Sequence, residues 1–273
     1  MTTRSRITPL GPLTVRSAAA THVGRVRKLN EDSLLDRAEI GLWAVADGMG
    51  GHHRGEYASA AITQALEALA APDGAPALMA AVKSGLEAVN GQLRIQGQRS
   101  GGPVASTVVC LLLSGWNFAC VWAGDSRLYL LRDGRIFRVS HDHSVVQELV
   151  DAGALDPDEM SSHPRSNEVT RAIGAVDDLA LDMRQGRAQP GDLFLLCSDG
   201  LTRFVSDREL AALLAATDLA GAVDALVATA LERGGSDNVT VVAVSCQATP
   251  GTDDVDTLVL KKRPTAIADE SLP

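Results

Sequence analysis

Short apolar runs closed by Gly, Asp or Ser alternate along this chain with longer stretches of helical spacing. Residues 13–47 alternate apolar and polar positions in pieces, which predicts strands ending at Asp47, because successive strand side chains face opposite sides. Over residues 55–71 the period changes: Ala58, Ala61, Ile62, Ala65, Leu66 and Leu69 fall on one helical stripe. After the break APDGAP, Leu78, Val82, Leu86, Val89 and Leu93 share one face of a second helix over residues 77–96. The runs ASTVVCLLL, WNFACVWAG, SRLYLLRDG and RIFRVS follow between residues 105 and 139, with turns at Gly115, Gly124-Asp125 and Asp133-Gly134. Connections this short predict an antiparallel meander.

The texture then changes. HSVVQELVDAG predicts a short helix with Ser144 and Gln147 in capping-box spacing. LDPDEMSSHPRSNE is polar, carries Pro157 and Pro164, and predicts a surface insertion. Strands resume near Leu181 and over residues 192–198. Ser206 and Glu209 open a helix to about Ala216, another covers residues 219–232, and a last strand covers 238–246. Beyond Thr249 the residues turn to Gly, Pro, Asp, Thr and Lys, and packing is not expected. The pattern predicts an α/β (α+β) chain with a largely antiparallel two-layer core and helices outside it.

Composition narrows the choices. Aromatic residues are 3% of the 273 residues, so the core must be mostly Ala, Val and Leu. A net charge of −9 argues against a nucleic-acid partner, since phosphate backbones select basic faces. No apolar run is long enough for a membrane helix, and MTTRSRITPLGPLTV lacks the apolar core of a signal peptide. No membrane insertion and a cytoplasmic location are therefore expected. Cys110, Cys120, Cys197 and Cys246 lie inside apolar runs without CxxC spacing, which predicts buried free thiols.

The candidate chemistry lies where apolar runs meet aspartates. Asp47 ends GLWAVAD, Asp125 follows NFACVWAG, Asp199 ends DLFLLCSD and Asp237 precedes NVTVVAVSC. A carboxylate at the end of a buried strand costs several kcal/mol unless compensated. An all-oxygen set points to a hard divalent ion such as Mg or Mn. Asp47-Gly48 or Asp199-Gly200 alone reads equally well as a hairpin turn. The segment after Asp199, LTRFVSDREL, does not return as a matching strand, which weakens that reading there. In GRVRKLNEDS, Arg27 and Glu31 would share a face if the segment is a strand. An Arg beside such carboxylates suits a phosphate dianion; taken alone, the pair reads as a surface ion pair.

With these segments assembled, the chain resembles the bacterial type-2C (PPM) metal-dependent Ser/Thr protein phosphatases. The resemblance rests on GRVRKLNEDS, VADGMGGHHRGEYAS, STVVCLLL, WAGDSRLYLLRDG, HDHSVVQELVDAGAL, HPRSNEVTRAIG, PGDLFLLCSDGLT and GGSDNVTVVAV, in the family's order, over roughly residues 14–246. It implies a four-layer α-β-β-α sandwich with two central antiparallel sheets. The domain would span residues 13–248 with a small flap insertion at about 143–170. Residues 1–12 would be an N-terminal extension and 249–273 a tail.

The resemblance also implies a site holding two Mn2+ or Mg2+. Asp47 would bridge them, the Gly48 carbonyl would bind the second, and Asp199 and Asp237 would complete the first. Glu31 and Asp32 would hold waters on the ions, with Asp32 orienting the attacking one. Arg27 would bind the phosphate, and Asp125 with Asp199 would hold a third ion. Asn238 either orients the loop around Asp237 or is a simple turn Asn. Met49 stands where other members carry a proposed histidine acid; His52 or His53 could substitute, a water being the alternative.

The implied activity is hydrolysis of phosphoserine and phosphothreonine in proteins by an activated water, opposing a cognate Ser/Thr kinase. A monomer is the family expectation. A regulator-type phosphatase of partner-switch proteins ranks lower, because relatives of that kind usually lack the arginine that Arg27 supplies. A catalytically inactive phosphoprotein-binding module should have lost one of Asp47, Asp199 or Asp237, and all three are present. NEDSLLDRAEIGLWAVADGMGGH is also similar to the phosphatases found with type VI secretion systems, which implies a forkhead-associated protein as a partner.

Overall fold

A computed structural model of the chain describes residues 4–50, 54–71 and 73–250. Its strands are β1 (Arg4–Leu10), β2 (Leu13–His22), β3 (Asp32–Arg37), β4 (Leu42–Met49), β5 (Ala105–Ser106), β6 (Val108–Ser114), β7 (Asn117–Ala123), β8 (Arg127–Arg132), β9 (Arg135–Arg138), β10 (Asp182–Arg187), β11 (Leu193–Cys197) and β12 (Val239–Ala248). Its helices are α1 (Arg54–Glu67), α2 (Gly74–Ser100), α3 (Val145–Asp151), α4 (Asp199–Thr202), α5 (Asp207–Ala216) and α6 (Leu219–Glu232). One sheet has the order β1-β2-β12-β11-β8-β9. The other has the order β10-β7-β6-β4-β3, with β5 pairing β4. All pairs are antiparallel.

Three apolar layers hold the stack. Trp43, Val45, Val109, Leu111 and Trp122 of one sheet meet Leu128, Phe194, Leu196, Val242 and Val244 of the other between the sheets. The opposite faces of those strands are apolar too. Ala44, Cys110, Leu112 and Val121 pack under Ile62 and Leu66 of α1 and Val82, Leu86 and Leu93 of α2. Tyr129, Leu195, Val241 and Ala243 pack under Leu210 of α5 and Val223, Leu226 and Val227 of α6. This is the four-layer α-β-β-α sandwich. Each fully buried Leu or Val contributes about 1.5–3 kcal/mol. The four cysteines are buried and free. Among the described residues, no helix is long and apolar enough to cross a membrane.

Several expectations are corrected. Residues 4–10, expected as part of an extension outside the domain, form edge strand β1, paired with β2 from Arg4↔Ala19 to Leu10↔Leu13. With Ile7 and Leu10 as its large apolar residues and Pro9 between them, this edge strand carries little alternating signal. The expected meander is split: β6 pairs β7 and β8 pairs β9, but β7 and β8 lie in different sheets. The crossover runs through Gly124 and Asp125. Strands buried on both faces look alike in sequence, so pattern could not show which sheet each joins. The segment holding Arg27 and Glu31 is a loop between β2 and β3, not a strand.

Helix ends also differ. The first helix stops at Glu67, where Arg37 donates to the carbonyls of Leu66, Glu67 and Leu69. The second starts at Gly74, with Pro76 in a first turn that needs no amide hydrogen. Ser144 caps α3 by accepting from the Gln147 amide. The Gln147 side chain bonds Asp151 and Arg138 instead of returning, so there is a cap but no box. The box at Ser206 and Glu209 is complete. The polar insertion contains a 3-10 turn, Pro157–Ser162, and is anchored by the bridges Ser144↔Val169 and Ser106↔Ile173. The segment 251–273 and residues 51–53 lie outside the described residues.

Candidate metal centre

Carboxylates from both sheets converge at a cavity of about 270 Å3 whose wall includes Arg27, Glu31, Asp47, Gly48, Asp125, Asp199 and Asp237. Each is delivered by the end of an element. Pairing of β3 with β4 sets Asp32 opposite Asp47. Asp125 comes from the crossover between the sheets, Asp199 from the first residue of α4, and Asp237 from the turn before β12. Asp32 lies behind the wall, 9% exposed.

The ends are bolted together by polar side chains. Ser198 Oγ donates to Asp32 Oδ2 at 2.8 Å and accepts from the Thr240 amide at 3.0 Å, joining the two sheets. Asp47 is held through its backbone. Its carbonyl accepts from the Thr107 amide at 2.8 Å and from Ser106 Oγ at 2.9 Å. Asn238 Nδ2 donates to the carbonyls of Val23 and Leu29, both at 2.9 Å, and its Oδ1 accepts from the Glu31 amide at 2.8 Å. This asparagine therefore fixes the whole Arg27 loop against Asp237.

Two glycines permit the closest approaches. A Cβ on Gly48 would overlap the carbonyl of Gly55, and one on Gly200 would overlap the carbonyl of Asn238. These residues stay small because backbone from another segment occupies the space.

Electrostatics mark the cavity as strained. Burial holds the Asp47 carboxyl well above the usual range, and the charges of Asp32 and Asp199 raise it further. Asp32 is pushed up to about 7 by burial, opposed by its hydrogen bond from Ser198. Asp125 is pushed up to about 8 by burial and then by Asp199 and Asp142. Glu31 Oε1, Asp32 Oδ1 and Asp199 Oδ1 are buried and accept no hydrogen bond. Each such oxygen costs about 1–3 kcal/mol, more when charged.

Arginines answer part of this charge. Arg27 donates to Asp237 Oδ2 at 2.9 Å. Arg203, one helical turn after Asp199, pairs with Asp199 Oδ2 and stands 3.9 Å from Asp237 Oδ2. Among the described residues, no three side chains of His, Cys, Asp and Glu close into a metal cage by themselves. Two of the carboxylates are turned to guanidinium groups instead. The donor set nevertheless fits hard divalent cations: it is all oxygen, and its buried orphan oxygens are acceptors that a cation satisfies.

The structure thus gathers Arg27, Glu31, Asp47, Gly48, Asp125, Asp199 and Asp237 at one cavity, with Asp32 directly behind. Arg27 faces Asp237 rather than Glu31, because the segment is a loop. Met49 is on the wall, while His52 and His53 lie outside the described residues. Sequence reasoning missed Arg203, whose spacing of four from Asp199 was the available signal. It also missed Thr107, Ser198 and Asn167, for which the sequence carried none. Asn167 and Val169 bring the insertion onto the cavity wall.

This architecture and its acidic cavity define a class. The pattern of the protein phosphatase 2C family matches residues 21–233, and the chain belongs to that family. It is 41% identical over 237 residues to the serine/threonine protein phosphatase PstP of Mycobacterium tuberculosis, covering 84% of this chain and 45% of that protein. The chain thus spans under half the length of that relative. Among solved structures it is similar to PppA, described as a key regulatory component of T6SS in Pseudomonas aeruginosa: 45% identity, TM-score 0.80, 85% of this chain and 97% of that one. It is also similar to the PstP catalytic domain in complex with two manganese ions: 35% identity, TM-score 0.79, 86% of this chain and 99% of that one.

Proposed function

We propose that the protein hydrolyses phosphoserine and phosphothreonine in phosphorylated proteins, opposing a Ser/Thr kinase, with two Mn2+ or Mg2+ ions as cofactors. The observation that carries this reading is the cavity itself: buried carboxylate oxygens without donors, bordered by Arg27. Asp47, Asp199, Asp237 and the Gly48 carbonyl would hold the two ions, and Glu31 would act through water. Asp125 with Asp199 would hold a third. When bound, the ions supply the Lewis acidity that lowers the pKa of a water from about 15.7 toward neutrality.

The chain's own residues do the rest. Arg27 is half exposed, with its guanidinium at the cavity, so its fork can clamp two phosphoryl oxygens and offset their growing charge. Asp32 Oδ1 is the acceptor that holds and orients the attacking water, while Ser198 fixes the other carboxylate oxygen. Asn238 keeps the Arg27 loop in register with Asp237. Met49 has no proton to give, so the leaving oxygen takes its proton from water or from His52 or His53. We place the protein in the cytoplasm as a monomer.

The test is turnover of a phosphothreonine peptide and a generic aryl phosphate with Mn2+, with Mg2+ and with chelator, for the native protein and Asp199→Asn. Metal-dependent turnover lost in the variant is expected. No turnover with any metal, in folded protein, would favour a phosphoprotein-binding module.

A narrower reading follows from the 45% identity to PppA. In it the protein regulates a type VI secretion system by dephosphorylating a forkhead-associated protein. Failure to dephosphorylate any such protein encoded nearby would sink it.

A further inference from the structure

A second cavity, about 580 Å3, adjoins the acidic one, and both are lined by Asp125, Asn167, Asp199 and Arg203. Its remaining wall mixes apolar Met160 and Phe204 with the guanidinium groups of Arg127 and Arg138. Arg127 and Arg138 lie 2.6 and 3.6 Å from the same carboxylate oxygen of Asp142. The lining also includes Asp125 and Asp199, so with the proposed ions on those two carboxylates only Asp142 would face the guanidinium groups of Arg127, Arg138 and Arg203. Arg203 sits on the boundary between the cavities. Its present partners, Asp199 and Asp237, are the carboxylates that the proposed ions require. A guanidinium and a dication compete for the same oxygens, and the adjoining groove is the other cavity that Arg203 lines. The hydrolysis mechanism leaves Arg203 without a task.

We propose that Arg203 is a specificity-determining residue: with the Arg127–Arg138 wall, it seats an acidic side chain of the substrate two or three residues from the phosphoresidue. This rests on the phosphatase reading above. The two cavities share Asp125, Asn167, Asp199 and Arg203 as wall, and an extended peptide advances about 3.3 Å per residue, so a side chain a few positions from the phosphoresidue enters the second. Met160 and Phe204 take an apolar neighbour. The charge argument is local against global. A chain of net charge −9 repels an acidic peptide, and with the proposed ions on Asp125 and Asp199 this groove would offer it three guanidinium groups against Asp142 alone.

The test compares phosphothreonine peptides differing only in Glu or Lys at those flanking positions. The native protein with Mn2+ should favour the Glu peptide in kcat/KM by roughly fivefold. Arg203→Gln should bring the ratio close to one, and Arg203→Glu should invert it. Calorimetry gives a readout independent of turnover: Arg203→Gln should bind Mn2+ roughly fivefold more tightly, because a competing cation is gone. If Arg203→Gln does not fold by circular dichroism, Arg138→Gln must lower the same ratio. Equal kcat/KM for both peptides in an active native enzyme, or an unchanged ratio in Arg203→Gln, overturns the inference alone. No turnover of either peptide or of an aryl phosphate with any metal overturns the phosphatase reading, and this inference with it.

Discussion

Asp47 shows what one residue contributes here: it is costly to the fold and central to the proposed site. Its carboxyl is buried among like charges, so the folded chain holds it against its own preference for water. Asp47→Asn removes the charge at nearly constant volume. In chelator, its melting temperature should rise by about 2–4 °C for each kcal/mol relieved. With Mn2+, its kcat/KM on a phosphopeptide should fall by about a hundredfold or more. Calorimetry and steady-state kinetics on one preparation check both halves; equal loss of stability and activity would mean that Asp47 is merely structural. Arg27 differs, being half exposed and paired with Asp237. Arg27→Ala should leave the melting temperature nearly unchanged and lower kcat/KM by about a hundredfold, with partial recovery in Arg27→Lys. These aspartates were legible in sequence because each borders an apolar run. Arg203 was not singled out, because an Arg at a spacing of four from an Asp is usually a helix-surface pair.

At the scale of elements, the site depends on how closely strand and helix ends approach. Gly200 lies in the first turn of α4, where a Cβ would overlap the Asn238 carbonyl. Gly200→Ala should push α4 away from the turn before β12, costing about 1–3 kcal/mol and weakening Mn2+ binding because Asp199 and Asp237 separate. A denaturant midpoint and an Mn2+ titration measure these together; an unchanged midpoint would refute the close-packing account. The helices were readable because their apolar stripes have one period. The β-runs were readable as strands, but their sheet assignment was not, since both faces of β6, β7, β8 and β11 are buried. The Arg27 segment could be taken only conditionally as a strand, because a loop that packs through Asn238 carries no periodic signal of its own.

Across the whole molecule, the clustered carboxylates couple folding to pH. Asp32 and Asp125 are raised in the folded protein to about 7 and about 8, from an ordinary value of 3.8. A carboxyl with a raised folded pKa stabilises fully below its unfolded value, and that stability is lost as pH rises through the folded value. In chelator, the melting temperature should therefore fall as pH rises from about 4 to about 8, and Mn2+ should restore it at the upper end. Calorimetry across that range, with and without Mn2+, decides the matter; a flat profile in chelator would contradict the buried-carboxylate account. Ser198 carries this strain between the sheets, because its hydrogen bonds join Asp32 to β12.

The order of segments by itself determined that strands and helices stack around an apolar core, that aspartates end the strands, and that a hard cation suits them. Those features are local, arising from side-chain period, turn residues and the cost of burying charge. Tertiary structure alone decided the rest. It assigned β7 and β8 to different sheets and drew residues 4–10 into an edge strand. It also set Arg27 and Arg203 against Asp237 and Asp199. These depend on which distant backbones can approach, and that is fixed by packing two sheets and two helical layers at once.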